Sequence, residues 1–221
     1  MDQYNLDILH KKLKIASLHI VRENIEAAIL NALAQSDIVQ KLIFYDGTAL
    51  RLAYASPRFS EDLDFLMIKK IPAPELRSVL EIFIKDQPGT KLKDFRDKRN
   101  TLFALLNFKT ILLKHPLNIK IEIANRKNGV DHEFIPLSSS CSHLAPIMPT
   151  ATMESLERCK IDAINNRKQP RDWFDLWYIS KYLKKPFQPP KRFPFEKEVF
   201  RYELKRFLPK DKWILIDQLL P

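Results

Sequence analysis

From Leu6 to Gln35 the apolar residues recur at helical spacing, which predicts helix at the start of the chain. The period then changes. Lys41-Leu42-Ile43-Phe44-Tyr45 reads as a short strand, and Ala49 to Tyr54 as the first turns of a helix, so Gly47 falls at a strand-to-helix corner. In Asp62-Leu63-Asp64-Phe65-Leu66-Met67, extended backbone puts Leu63, Phe65 and Met67 on one face and Asp62, Asp64 and Leu66 on the other. Leu117 to Ala124 alternates as well: Ile119, Ile121 and Ile123 against Asn118, Lys120 and Glu122. Strands are expected over residues 41 to 135 and helices over residues 150 to 221. One of those helices runs from Thr152 to Arg167, with Met153, Leu156, Lys160, Ala163 and Ile164 along one stripe. Another opens at Pro170 and brings Asp172, Leu176, Ile179 and Leu183 to one face; the last two run from Phe195 to Phe207 and from Lys210 to Leu220. Between strands and helices, residues 135 to 149 contain Pro136, Ser138, Ser139, Ser140, Pro146 and Pro149 and read as a connector. The expected class is α+β: helices and a sheet over residues 1–149, then a helical lobe over residues 150–221.

Composition adds boundaries. At 221 residues and 45% hydrophobic, the chain can bury a large core. Two cysteines, Cys141 and Cys159, do not make a disulfide framework and fit a reducing cytoplasm. Met1-Asp2-Gln3-Tyr4-Asn5 is polar and acidic, unlike a secretory signal, and no apolar run approaches the roughly 18 residues of a membrane span. The histidines are dispersed, and Cys141-Ser142-His143 lacks partners at zinc-ligand spacing. Lys and Arg number 37 against 27 Asp and Glu, a net charge of +10. Positive charge collects over Lys91 to Arg99, at Arg167-Lys168 and from Lys184 to Arg206, where Phe187, Phe193, Phe195 and Phe200 interleave. Such stretches neutralise phosphates without reading bases. A charged run is more often a solvated face, so these support a nucleic-acid acceptor as a class and no particular RNA.

The chemistry concentrates in the acids. Asp is disfavoured in strands, and two carboxylates about 6 to 7 Å apart along one face repel unless a cation lies between them. Unit charges about 4 Å apart interact by about 4 kcal/mol at an effective dielectric near 20, so a cation removes a real cost. Magnesium suits Asp62 and Asp64, because it takes one or two carboxylates and completes its shell with water and phosphate oxygens. A wet-faced edge strand is the plainer alternative. Glu122 joins the pair only if its strand lies beside theirs. Gly47 allows a phosphate close to the backbone and Thr48 offers a hydroxyl, although a lone Gly-Thr is more commonly a helix cap. Lys160 interrupts a buried stripe; it either snorkels or reaches into a cleft to bind phosphate. Asp172 and Asp175 either cap their helix or point inward, and Arg171 and Asp175 have the spacing of a surface ion pair. Arg51 either reaches phosphate or holds Asp62, and Arg58 and Ser60 divide evenly between structural and site roles.

Taken in order, Asp46-Gly47-Thr48-Ala49-Leu50-Arg51-Leu52 and Arg58-Phe59-Ser60-Glu61-Asp62-Leu63-Asp64-Phe65 resemble the Gly-Gly-Thr-Ala-Leu and Arg-Phe-Ser-Glu-Asp-Leu-Asp-Phe motifs of AbiEii/AbiGii-type nucleotidyltransferase toxins. Lys160 and Arg171-Asp172-Trp173-Phe174-Asp175-Leu176 resemble that family's two downstream motifs, so the resemblance spans about residues 40 to 183. Asp46 stands where the family usually has a glycine, and Glu122 where a relative often carries aspartate. The resemblance implies a polymerase-beta-like mixed-sheet core and transfer of a nucleotide from a nucleoside triphosphate to a hydroxyl on tRNA or another RNA, blocking translation. It also implies magnesium, or manganese in its place, and a cognate antitoxin. Carried onto this chain, Asp62, Asp64 and Glu122 would hold metal; those three with Lys160 and Asp172 would be catalytic; Gly47, Thr48, Arg51, Ser60, Lys160 and Asp175 would bind nucleotide. Two rival readings remain at this point: transfer to a protein hydroxyl, and a non-catalytic binding module.

Overall fold

The computed structural model describes residues 1–125 and 129–221. Two helices open the chain, α1 (Gln3–Leu13) and α2 (Ser17–Ala34). Asp2 caps α1 by accepting from the Asn5 amide, and Lys14 ends it in a left-handed conformation, φ 52°. Then follow β1 (Leu42–Tyr45), α3 (Asp46–Tyr54), β2 (Asp62–Met67), α4 (Ala73–Lys85), β3 (Thr90–Lys98), β4 (Thr101–Phe108) and β5 (Leu117–Ala124). The chain continues through β6 (His132–Pro136), β7 (Ile147–Ala151), α5 (Met153–Asn166), α6 (Pro170–Tyr182), α7 (Lys197–Lys205) and a last short α8 (Ile214–Asp217).

Among the described residues, seven strands form one mixed sheet in the order β3-β4-β5-β2-β1-β7-β6. The central strand β2 runs antiparallel to β1 and parallel to β5, and β7 runs parallel to β1. Register follows the alternation. Leu63, Phe65, Ile119, Ile121 and Ile123 are fully buried on one face, under Ile29, Leu30 and Leu33 of α2 and Leu76 and Leu80 of α4. Each such side chain contributes about 1.5–3 kcal/mol, and a one-residue slip would turn the whole set to water. On the reverse face Ile43, Tyr45 and Leu66 pack with Met153 and Leu156 of α5 and Ile179 of α6. That cover lies over β1 and the end of β2, and it leaves the acidic positions of β2 and β5 beside an open cavity.

Three expectations need correction. The stretch taken as a connector, residues 135 to 149, begins in β6 and ends in β7, so β7 straddles the expected boundary at 149 and 150. The basic run Lys91 to Arg99 is mostly β3, the edge strand of the sheet. Its charges alternate with Leu92 and Phe95, which pack on the core, so much of that charge guards an unpaired strand edge. Finally, Phe193 and Phe195 do not present themselves to a nucleic acid. They stack edge-on against Trp173 at 5.5 and 6.0 Å, around a C-terminal core that includes Phe200, Phe174 and Leu204. Neither Cys141 nor Cys159 forms a disulfide, in keeping with the expectation of no disulfide framework. Among the described residues, no helix is long and apolar enough to cross a membrane.

Candidate active site

Parallel pairing of β2 with β5 sets Asp64 directly beside Glu122 and Asp62 beside Lys120. All four side chains share the sheet's reverse face and line a cavity of about 320 Å³. Gly47, Ser60, Lys160, Asp172 and the guanidiniums of Arg167 and Arg171 line it as well. Seven of the expected site residues therefore meet around one space: Gly47, Ser60, Asp62, Asp64, Glu122, Lys160 and Asp172.

The sheet wall is acidic and incompletely neutralised. Lys120 places Nζ 3.2 Å from Asp62 and 3.6 Å from Glu122; burial would lower that ammonium's pKa, but the charges of Asp62, Asp64 and Glu122 raise it. Asp64 fares differently. Burial, then the charge of Asp46, then those of Asp62 and Glu122, push its carboxyl up to about 7, although Lys120 opposes them. A divalent cation would restore the ionised form of Asp64, but among the described residues the three acids whose oxygens come within 4.8 Å of one another are Asp46, Asp172 and Asp175, and Asp62, Asp64 and Glu122 stand farther apart than that. The positive charge beside the strand acids is Lys120, which in the sequence pattern is simply a polar position of β5.

Across the cavity lies an ion cluster anchored on α5 and α6. Lys160 is only 3% exposed. Its ammonium donates to Asp46 and, at 3.2 Å, to Asp172, and lies 2.7 Å from Asp175. Three donors thus meet three carboxylates, and the charges of Asp175, Asp46 and Asp172 raise its pKa well above the usual lysine value despite burial. Asp46, Asp172 and Asp175 bring oxygens within 4.8 Å of one another, a grouping able to hold a metal, but here Lys160 is its cation. Burial opposes ionisation of Asp46, yet Lys160 beside it holds its carboxyl down to about 2. Arg167, at the C-cap of α5, closes the cluster with a two-point contact on Asp172 at 2.7 and 2.8 Å.

Asp175 lies beneath the cavity rather than in its lining. It is fully buried and accepts from Arg58 Nε and Nη2, both at 2.7 Å, while Arg58 Nη1 donates to the Phe59 carbonyl at 2.9 Å. Neither Asp172 nor Asp175 caps α6, whose N-cap is Gln169 with no side-chain cap bond. Arg171 does not pair with Asp175 either; it approaches Glu61 at 3.6 Å.

Two expected nucleotide contacts face elsewhere. Thr48, 2% exposed, donates its hydroxyl to the Asp62 carbonyl and so ties α3 to β2. Arg51 turns toward Glu23 of α2, donating at 2.7 and 3.2 Å, and stacks 3.9 Å over the Phe59 ring. Gly47 has a packing reason: a Cβ there would stand 2.4 Å from Arg58 Nη2 and 2.9 Å from Ser60 Oγ. Asp46, one residue earlier, has φ 69°, in the left-handed region that suits glycine and that Asp tolerates better than most residues. The signal for Asp46 was present in the sequence as a departure from a glycine position. Lys120 and Arg167 carried no comparable mark, because a lone cation on a strand or helix end is ordinarily solvated.

A comparison with curated proteins gives no match. Among solved structures, JHP933 from Helicobacter pylori is similar over 76% of this chain and 68% of its own, with 26% identity and a TM-score of 0.58. MenT4, a nucleotidyltransferase toxin of Mycobacterium tuberculosis H37Rv, is similar over 84% of this chain and 61% of its own, at 16% identity and a TM-score of 0.54, which bears on the fold alone. A family model described as "Nucleotidyl transferase AbiEii toxin, Type IV TA system" matches residues 28–212, from α2 into the C-terminal helices. With strand acids and helix cations facing one cavity inside that span, the chain belongs to the AbiEii nucleotidyltransferase toxins of type IV toxin–antitoxin systems.

Proposed function

We propose that this protein moves a nucleotidyl group from a nucleoside triphosphate to a hydroxyl of an RNA acceptor, tRNA first among candidates, and that the modification blocks translation until a cognate antitoxin counters it. The acceptor oxygen forms a bond to the α-phosphorus, the bond from that phosphorus to the bridging oxygen breaks, and pyrophosphate leaves. The observation that carries this reading is the opposition of Asp62, Asp64 and Glu122 to Lys160, Arg167 and Arg171 across one cavity.

Asp62, Asp64 and Glu122 are the residues to hold magnesium or manganese, which when bound offsets phosphate charge and orients the reacting oxygens. Glu122 accepts the proton of the acceptor hydroxyl. Lys120, whose side chain is about one-third exposed, can swing from the carboxylates toward a phosphate. Arg167 and Arg171, on the other wall, meet the triphosphate. Lys160 reaches it by releasing Asp46, the most exposed of its three partners. Asp172 and Asp175 keep that ammonium in place, with Gly47 and Ser60 shaping the floor beside Arg58. Thr48 and Arg51 support this arrangement from outside the cavity. The cytoplasm, where tRNA and nucleotides abound, is the proposed location, with a core that runs through β7 and a helical lobe from α5 onward as working units.

The test is transfer of label. Purified protein with α-labelled nucleoside triphosphates, magnesium and tRNA should label the RNA, and Asp64→Ala should not. Label on a protein and none on RNA would move the acceptor to a side-chain hydroxyl; label on neither, with every nucleotide tried, would end the proposal.

A further inference from the structure

Next to the catalytic cavity lies a larger one, about 700 Å³, between α1 and the C-terminal segment. Lys11, Lys14, Lys205, Arg206 and Lys210 stand in its wall. Arg206 pairs with Glu203 at 3.3 Å, but among the described residues no acid forms an ion pair with Lys11, Lys14 or Lys210. The floor is apolar, formed by Ile15, Leu18, Phe207 and Leu208 with the indole of Trp213. That ring is fixed, since Nε1 donates to the Leu208 carbonyl at 3.1 Å, and the Lys205 ammonium lies 4.8 Å from its centroid. The Lys210 amide donates to the Lys14 carbonyl at 3.0 Å and so holds the cationic stretches of both chain ends side by side. His19, buried between the rings of Phe59 and Phe207, lines the same space, and its Nδ1 has no hydrogen-bond partner among the described residues.

Glu61 is the acid in this wall, and Arg171, which lines the catalytic cavity, approaches it at 3.6 Å. The two cavities therefore share a boundary. We propose that the second cavity grips the acceptor RNA, its lysines taking backbone phosphates and its apolar floor taking one unstacked base. An apolar slot with an aromatic wall and cations along its rim matches a nucleotide's flat base and charged backbone. The proximity to Arg171 makes the strand continuous: an RNA whose reactive hydroxyl lies at Asp62, Asp64 and Glu122 passes over Arg171 into the slot. This inference rests on the reading of nucleotidyl transfer to RNA and adds where that RNA is held.

Fluorescence anisotropy of labelled bulk tRNA, titrated with the full chain at salt concentrations from about 50 to 200 mM, reads the inference directly. The variant Lys11→Glu/Lys14→Glu/Lys210→Glu should bind at least about tenfold more weakly, and the slope of log affinity against log salt should shrink by about 2 to 3. Magnesium-dependent nucleotide binding should not change. Single changes, Lys11→Ala and Lys210→Ala, should each flatten the slope by about 1. Wild-type affinity and slope in the triple variant, or a wild type that binds no tRNA, would overturn the inference. So would loss of binding to phosphatidylserine vesicles with tRNA binding intact, which would assign the surface to lipid. Failure of the transfer reading shows separately, as a wild type that binds tRNA but leaves it unlabelled.

Discussion

Arg58 reaches from the loop before β2 to Asp175 in α6 and makes a two-point contact inside the protein, where neither partner meets water. Breaking such a buried pair leaves an uncompensated charge and costs about 3–5 kcal/mol. Arg58→Ala should fall at the low end of that range in urea denaturation, since Lys160 still pairs with Asp175, and Arg58→Lys, which keeps the charge but cannot reproduce the fork, should cost less. Asp46 acts differently. Its carboxylate neutralises Lys160 at the cavity wall, where the account places phosphate, so Asp46→Asn should lower the KM for nucleotide by about tenfold with kcat little changed. An unchanged or higher KM would make Asp46 a positive part of the nucleotide site. Both acids also set an acid limit. The folded protein holds the carboxyls of Asp46, at about 2, and of Asp175 below their ordinary value, so the stability they contribute is present above the ordinary carboxylate range and lost as pH falls through their lowered values. Urea midpoints at pH 7, 4 and 3 should show the loss beginning only below about 4, and Asp175→Asn should flatten it.

The elements that position the site differ in how plainly the chain declares them. Alternation in β2 and β5 marked both strands and placed their acids on one face, and the helix expected from Thr152 to Arg167 is α5, Met153–Asn166, with those two residues as its caps. The strand β7 gave no such sign: Ile147-Met148-Pro149-Thr150-Ala151 is short, carries a proline and has no polar alternation, since neighbours on both sides bury it. What no local pattern shows is which side chains converge from distant segments. Lys160 interrupting an apolar stripe was visible, but its capture by Asp46, Asp172 and Asp175 depends on how α5, α6 and the β1–α3 corner pack. That corner is testable. Gly47→Ala forces a methyl into Arg58 and Ser60, and overpacking of this kind costs about 1–3 kcal/mol. A melting temperature equal to wild type would show that Arg58 yields without cost.

At the scale of the whole molecule, the sheet shows one face to α2 and α4 and lends part of the other to α5 and α6, and the uncovered remainder becomes the cavity. Catalysis, in this account, is a property of the seam between sheet and helices. Family membership establishes the reaction class; the seam explains how this chain would carry it out. Two sets of acids belong to the seam, Asp62, Asp64 and Glu122 on the strands and Asp46, Asp172 and Asp175 on the helix side; among the described residues it is the second that brings three ligand oxygens within 4.8 Å of one another. In the proposed reaction the metal goes to the first set and the lysine ammonium stays with the second. Crystals of the protein grown with manganese and a non-hydrolysable nucleoside triphosphate decide between them by anomalous scattering. The account predicts a peak about 2.0–2.2 Å from oxygens of Asp62 and Asp64, with the triphosphate running toward Arg167. A peak among Asp46, Asp172 and Asp175, or a triphosphate bound outside the seam, would contradict it.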